Sequence, residues 1–197
     1  ELVMVAKRAA SQSKVFPRPY FALHPVADMP QRIPPEMTLA IARRESEFYP
    51  KVASPVGALG MMQVMPKTAK EMAKRLDLKF SSERMLSDWK YNAKIGIAYL
   101  EELSERYDGN PILIAAAYNA GPSRADRWIE LLGDPRNPKV DLVQWVESIP
   151  FEETRNYVMR VSESLPNYKV RLNKKPPSSF YFYLKGSSFL PLAPKSE

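Results

Sequence analysis

The sequence predicts an all-α fold of about seven helices joined by short loops. Three features carry that reading. Apolar residues recur at helical spacing in one segment after another, and cap and stop signals bracket those segments. No strand-like alternation occurs before Phe180–Leu184, which is short and terminal. Proline marks the ends of the helical part, with dense stretches before Pro35 and beyond Pro166 among 19 in all. The chain of 197 residues thus divides into an N-terminal segment 1–34, a helical core 35–172 and a tail 173–197. That length suffices for one domain with a sizeable core and hardly for two.

Residues 1–34 begin helix-like (Leu2 to Ala10) and then turn extended and proline-rich, as the end of a preceding helical domain or an arm around the core. From Pro35 to Phe48, Met37, Ile41 and Phe48 share one helix face. Thr68 to Leu76 places Ala69, Met72, Ala73 and Leu76 inward. Ser87 or Asp88 can cap a long helix through Ala93, Ile97, Leu100 and Tyr107. Asn110-Pro111 starts a short apolar helix that ends near Gly121, and Pro122 to Leu132 forms another, stopped at Gly133. Asp141 to Ser148 is short; Phe151 to Leu165 is longer, with Tyr157, Val158, Val161 and Leu165 inward. The tail from Asn173 reads as flexible, although its aromatic run Phe180–Tyr183 argues that part of it docks.

Composition narrows the chemistry. There is no cysteine, hence no disulfide, thiol nucleophile or cysteine-held metal, and a single histidine excludes a multi-histidine zinc site. An acid-base group working near neutral pH would have to be a carboxylate with a displaced pKa. The net charge of +7 fits an anionic partner, but the basic residues are scattered and no helix carries them clustered, which argues against nucleic acid. No apolar run approaches the ~20 residues of a membrane helix. The chain starts at Glu1, so the lack of a secretory signal says nothing about location.

Four segments offer polar groups to a cleft. In Ala42–Phe48, Glu45 flanks the apolar stripe, where desolvation would raise its pKa towards that of a neutral-pH acid. Pairing with an arginine is the structural alternative, and Glu47 points away towards Arg43 or Arg44. Ser54–Pro66 holds two of the seven glycines among apolar residues, with Gln63 as donor and acceptor; it reads as a ligand-approaching loop or a buried Met-rich connector. Ala115–Pro122 leaves Tyr118 and Asn119 at a helix C-terminus, facing a cleft or serving as anchor and cap. In Ile149–Val158, Glu153 shares a face with Tyr157 and points inward, while first-turn acids also suit the helix dipole.

In this order, Glu45-Ser46, Gly60-Met61-Met62-Gln63, Ala117-Tyr118-Asn119-Ala120-Gly121 and Glu153-Thr154-Arg155-Asn156-Tyr157 resemble the successive signatures of the soluble lytic transglycosylase family. Met61 stands where the common form of the loop has leucine, a tolerable apolar swap. The resemblance covers about Pro34 to Tyr168 and implies a lysozyme-like helical domain with a glycan-binding groove, monomeric and periplasmic. It implies cleavage of the β-1,4 bond between N-acetylmuramic acid and N-acetylglucosamine of peptidoglycan, without water, leaving 1,6-anhydromuramic ends. Carried over by position, Glu45 is the single catalytic acid/base, and Ser54, Gln63, Met65, Tyr118, Asn119 and Glu153 line the groove. Neither metal nor cofactor is implied. A lysozyme-type hydrolase and a non-catalytic peptidoglycan-binding module remain the alternatives.

Overall fold

A computed structural model describes residues 2–14, 16–177 and 179–185. Its described residues form eleven helices: α1 (Leu2–Ala10), α2 (Pro17–Tyr20), α3 (Pro35–Ser46), α4 (Pro66–Arg75), α5 (Ser82–Ser87), α6 (Trp89–Arg106), α7 (Pro111–Ala120), α8 (Pro122–Leu132), α9 (Leu142–Glu147), α10 (Glu152–Arg171) and α11 (Phe180–Lys185). Helix α7 is the centre. Every residue from Pro111 to Ala117 is buried, as an all-round apolar helix must be, and its alanines let neighbouring helices approach closely. Helices α6, α8, α10 and α11 pack on it, and α10 also packs along α3.

The N-terminal segment wraps the core. Arg43 of α3 lies over the Tyr20 ring at 4.5 Å and donates from Nε to the Tyr20 carbonyl, while Arg171 at the end of α10 donates to the Phe21 carbonyl. His24 caps the following 3-10 turn, Pro25–Asp28, by accepting from the Val26 amide.

Several boundaries depart from the sequence reading. Helix α3 stops at Ser46 because Glu47 and Phe48 turn left-handed, at φ 53° and 65°. Phe48 thereby leaves the expected stripe and stacks on His24 at 5.2 Å. Leu76, expected inward, is 40% exposed at the end of α4. Helix α10 runs through Pro166 to Arg171: an internal proline costs about 3 kcal/mol, which burial of Leu165 and Tyr168 on either side offsets.

The tail also differs from the flexible segment expected of it. Lys174 pairs with the buried Glu36 at 2.6 Å, and Phe180–Lys185 is helical, with Tyr183 and Leu184 buried on the core. Buried Asn110 explains the docking: its Oδ1 caps α7 at the Leu113 amide while its Nδ2 donates to the carbonyls of Leu184 and Lys185. Residues 186–197, with Pro191 and Pro194, lie outside the described residues.

The loop between α3 and α4 is closed by isolated bridges, Ala53 to Leu59 and Leu59 to Val64. Asn92 of α6, fully buried, holds it from below. Its Oδ1 accepts from the Met62 amide at 2.8 Å, and its Nδ2 donates to the Leu59 and Met85 carbonyls. Gly60 is required here, since at φ +74° a β-carbon would stand 2.1 Å from the Met85 carbonyl oxygen and 2.2 Å from the Asn92 amide nitrogen.

Gly60→Ala is therefore expected to cost about 3 kcal/mol or more and to lower Tm by roughly 6–12 °C. Gly57→Ala, with positive φ but open space around it, should cost only about 1 kcal/mol. Equal losses in thermal melts would contradict the Asn92 clamp.

Candidate active site

Glu45 sits in the last turn of α3, mostly buried, with α10 packed alongside. Tyr157, on the inward stripe of α10, donates its hydroxyl proton to Glu45 Oε1 at 2.6 Å. Burial pushes the Glu45 carboxyl up to about 7. The Tyr157 hydrogen bond and the charge of Arg44 act in the other direction, and the charge of Glu153 raises it further. The result is a carboxyl that holds a proton near neutrality yet has groups in place to accept its anion. Tyr157 itself stays neutral, its own pKa raised first by burial and then by the charge of Glu45. Because the tyrosine proton is directed at Oε1, the acid proton of Glu45 belongs on Oε2.

The end of α3 is fastened to the glycine loop. Ser46 Oγ donates to the Met61 carbonyl at 2.6 Å, and Tyr118 at the C-terminus of α7 donates to the Met62 carbonyl at 2.7 Å. Beside Tyr118, Asn119 accepts from Thr154 in the first turn of α10 at 2.7 Å. The structure thus joins Glu45, Tyr118, Asn119 and the loop to α10.

Other expected groove residues have parts to play within the loop. Gln63 Nε2 donates to the carbonyls of Val52 and Gly60, and Ser54 Oγ accepts from the Ala58 amide, so both brace the loop without bonding to Glu45. Met65, 44% exposed, precedes α4. Glu153 is exposed rather than inward: the first turn of α10 turns Thr154 to the core instead. Its charge nevertheless acts on Glu45, and Glu152 is not among the groups that do so. Glu47 is turned away into ion pairs with Lys7 and with Arg43. Sequence reasoning missed the roles of Tyr157, Thr154 and Asn92. Asn92 alone left a local signal, a polar residue among the apolar positions of α6.

Among the described residues no group of three or more His, Cys, Asp or Glu is arranged to hold a metal ion, and no helix is long and apolar enough to cross a membrane.

Residues 26–139 match the Transglycosylase SLT domain family. The soluble lytic murein transglycosylase of Escherichia coli is 41% identical over 162 residues, 82% of this chain and 24% of that protein. The chain belongs to the transglycosylase SLT domain family. The Salmonella typhimurium soluble lytic murein transglycosylase is 44% identical over 124 residues, 62% of this chain and 19% of its own length. Among solved structures, the 70-kDa soluble lytic transglycosylase of Escherichia coli superposes with a TM-score of 0.79 at 32% identity, covering 91% of this chain and 30% of the other. The same 70-kDa enzyme type in complex with bulgecin A gives 0.78 at 33% identity, over 91% and 30%. The SLT domain described here has that lysozyme-like, all-α fold, and it spans about a quarter of the curated soluble relatives it matches.

A raised carboxyl also leaves a mark on stability. Bound more tightly in the folded than in the unfolded chain, the Glu45 proton stabilises the fold at low pH, and that contribution is lost as pH rises through about 7. Glu45→Gln should therefore gain roughly 2–3 kcal/mol relative to the parent between pH 4 and pH 8.5, or about 4–12 °C in Tm. Parallel Tm curves for the two proteins across that range would show that the site does not perturb the acid.

Proposed function

We propose that this SLT domain is a peptidoglycan lytic transglycosylase, cleaving the β-1,4 bond between N-acetylmuramic acid and N-acetylglucosamine without water. The observation that carries the reading is a single carboxyl, Glu45, raised to about 7 and bonded to Tyr157, beside a loop fastened for close approach. Its relatives' names, and the complex of one of them with bulgecin A, support the same class of enzyme. A murein substrate implies a periplasmic or envelope location.

Protonated Glu45 donates from Oε2 to the glycosidic oxygen, and the N-acetylglucosamine fragment leaves. The emptied carboxylate is held by the Tyr157 hydroxyl and by Arg44, the two groups that lower its pKa. A retaining hydrolase with a protein nucleophile would place a second carboxylate ~5–5.5 Å from the acid. Glu47 is engaged elsewhere and Glu153 is exposed, so neither is held against Glu45 by any described bond. The muramic 2-acetamido group then stabilises the developing cation. Ionised Glu45 removes the proton from O6 of that sugar, closing the 1,6-anhydro ring and regenerating the acid.

Mass spectrometry of digested peptidoglycan tests this directly. Anhydro ends, one water lighter than reducing ends, are expected from the parent, and none from Glu45→Gln; reducing ends would identify a hydrolase.

The two neighbours of Glu45 should move its titration in opposite directions. Tyr157→Phe removes a group that lowers the pKa, so the alkaline limb of the rate profile should shift to higher pH, with kcat reduced about 10–100-fold by loss of support for the anion. Glu153→Gln removes a charge that raises it, so the limb should shift to lower pH, whereas Glu152→Gln should leave it in place. Shifts of the same sign for Tyr157→Phe and Glu153→Gln would refute this electrostatic arrangement.

A further inference from the structure

The helix that carries the acid ends on two left-handed residues in succession, Glu47 at φ 53° and Phe48 at φ 65°, directly after Glu45 and Ser46. Left-handed backbone is unfavourable for a residue with a β-carbon, so contacts from outside the helix must hold it. Each of the two is gripped by a residue of the N-terminal segment. The Phe48 ring lies flat on His24, with centroids 5.2 Å apart and planes 6° from parallel. His24 is itself fixed: Trp89 at the start of α6 packs across it, at 83° and 4.7 Å, and its Nδ1 accepts from the Val26 amide. Burial lowers the His24 pKa, so the ring stays neutral and keeps that acceptor. Glu47 pairs with Lys7 of α1, a helix seated by the buried Val3 and Ala6.

Both holders precede residues 26–139, which match the SLT family. Among the described residues neither is hydrogen-bonded to Glu45. The groups that act on the charge of the acid are Tyr157 and Glu153 of α10 and Arg44 of α3, with Tyr118 of α7 coupled to it. Lys7, His24 and Glu47 are not among them. Around Lys7 stand Arg43 and Arg44 of α3 and Arg160 of α10; burial first, and then their charges, lower its pKa. What the turn governs is therefore where Glu45 stands. Glu45 and Ser46 are the last residues of α3, and each makes a bond on which the site depends. Glu45 accepts from Tyr157, and Ser46 donates to the Met61 carbonyl, both at 2.6 Å. A slack turn loosens both.

We propose that His24 and Lys7 are positioning residues for Glu45, acting through the left-handed turn that they hold at Glu47 and Phe48. Neither does chemistry. This rests on the acid role assigned to Glu45 above, and it extends the working site to a segment that precedes the family match.

The test uses the full chain and two readouts. One is release of anhydro ends from peptidoglycan, resolved into kcat and KM; the other is the titration of the labelled Glu45 carboxyl followed by NMR, which needs no substrate. His24→Asn keeps a side-chain acceptor for the Val26 amide but removes the ring, whereas His24→Phe keeps the ring without the acceptor. His24→Asn should lower kcat about 3–10-fold with KM unchanged, and His24→Phe should stay within about twofold of the parent. Lys7→Met should lower kcat about 2–5-fold, and Lys7→Arg should restore it. In both impaired variants Glu45 should titrate at higher pH, by about 0.3–1 pH unit, because the Tyr157 bond that lowers its pKa is loosened. With Tyr157→Phe as the background, where that bond is gone, the same substitutions should leave the titration in place. Equal losses for His24→Asn and His24→Phe would mean that His24 serves only as a cap. An unmoved Glu45 titration in both impaired variants would mean that the turn does not act on the acid, and either result overturns the proposal. Thermal melts report loss of folding separately, and Lys7, 42% exposed in its side chain, keeps the question answerable if His24→Asn fails to fold. If the parent releases no anhydro ends, the reaction assigned above fails, while the titration still decides whether the turn places Glu45.

Discussion

The arrangement of the site depends on one hydrogen bond between residues 112 positions apart, from Tyr157 to Glu45. It exists because α3 and α10 pack directly, and that packing in turn needs α7 buried beneath α10. The bond acts on charge as well as position. A carboxyl at this depth would hold its proton too tightly to serve as a base, and a hydroxyl that donates to the anion restores part of its acidity. Burial and hydrogen bonding oppose one another on the same group, and their balance near 7 is what the proposed role of Glu45, acid and then base, requires.

The helix termini assist this balance. Glu45 lies in the last turn of α3, the negative end of that helix's dipole, which disfavours a second negative charge. Glu153 lies in the first turn of α10, the positive end, where a carboxylate is favoured. Two acids thus sit at opposite poles, and the charge of the exposed one adds a little to the burial that raises the pKa of Glu45.

The helices that were legible in the sequence are those with an apolar stripe and a cap: Asn110-Pro111 opens α7 and Asp88 caps α6 as the side-chain chemistry requires. Helix α5 was not legible, since its six residues bury only Met85 and show no period. Phe48 and Pro166 misled for opposite reasons. Phe48 fits the helical spacing but follows a left-handed turn, and Pro166 carries a stop signal that the burial of its neighbours overrides. In the site, periodicity placed Glu45 beside the apolar face without separating an acid from an ion-paired glutamate. Tyr157 was legible as core, but the direction of its hydroxyl depends on a helix more than a hundred residues away. Glu153 shared the face of Tyr157 by angle, yet at the first turn that face opens to solvent.

The left-handed pair Glu47–Phe48 shows why the acid stands at a helix end. Had α3 continued, Glu45 would lie within a helix, with its carboxyl along a packed flank and the next turn covering any approach to it. Ending the helix at Ser46, one residue after Glu45, frees that side, and Ser46 then fixes the loop by donating to the Met61 carbonyl. Glu47 stabilises the turn through its ion pairs with Arg43 and Lys7, which also turn its charge away from Glu45. A non-glycine residue at positive φ costs of the order of 1 kcal/mol, and two in succession are held here by the Phe48–His24 stack and those ion pairs. The strain is local to the point where the chain turns from the helix that carries Glu45 into the loop that Ser46 fastens.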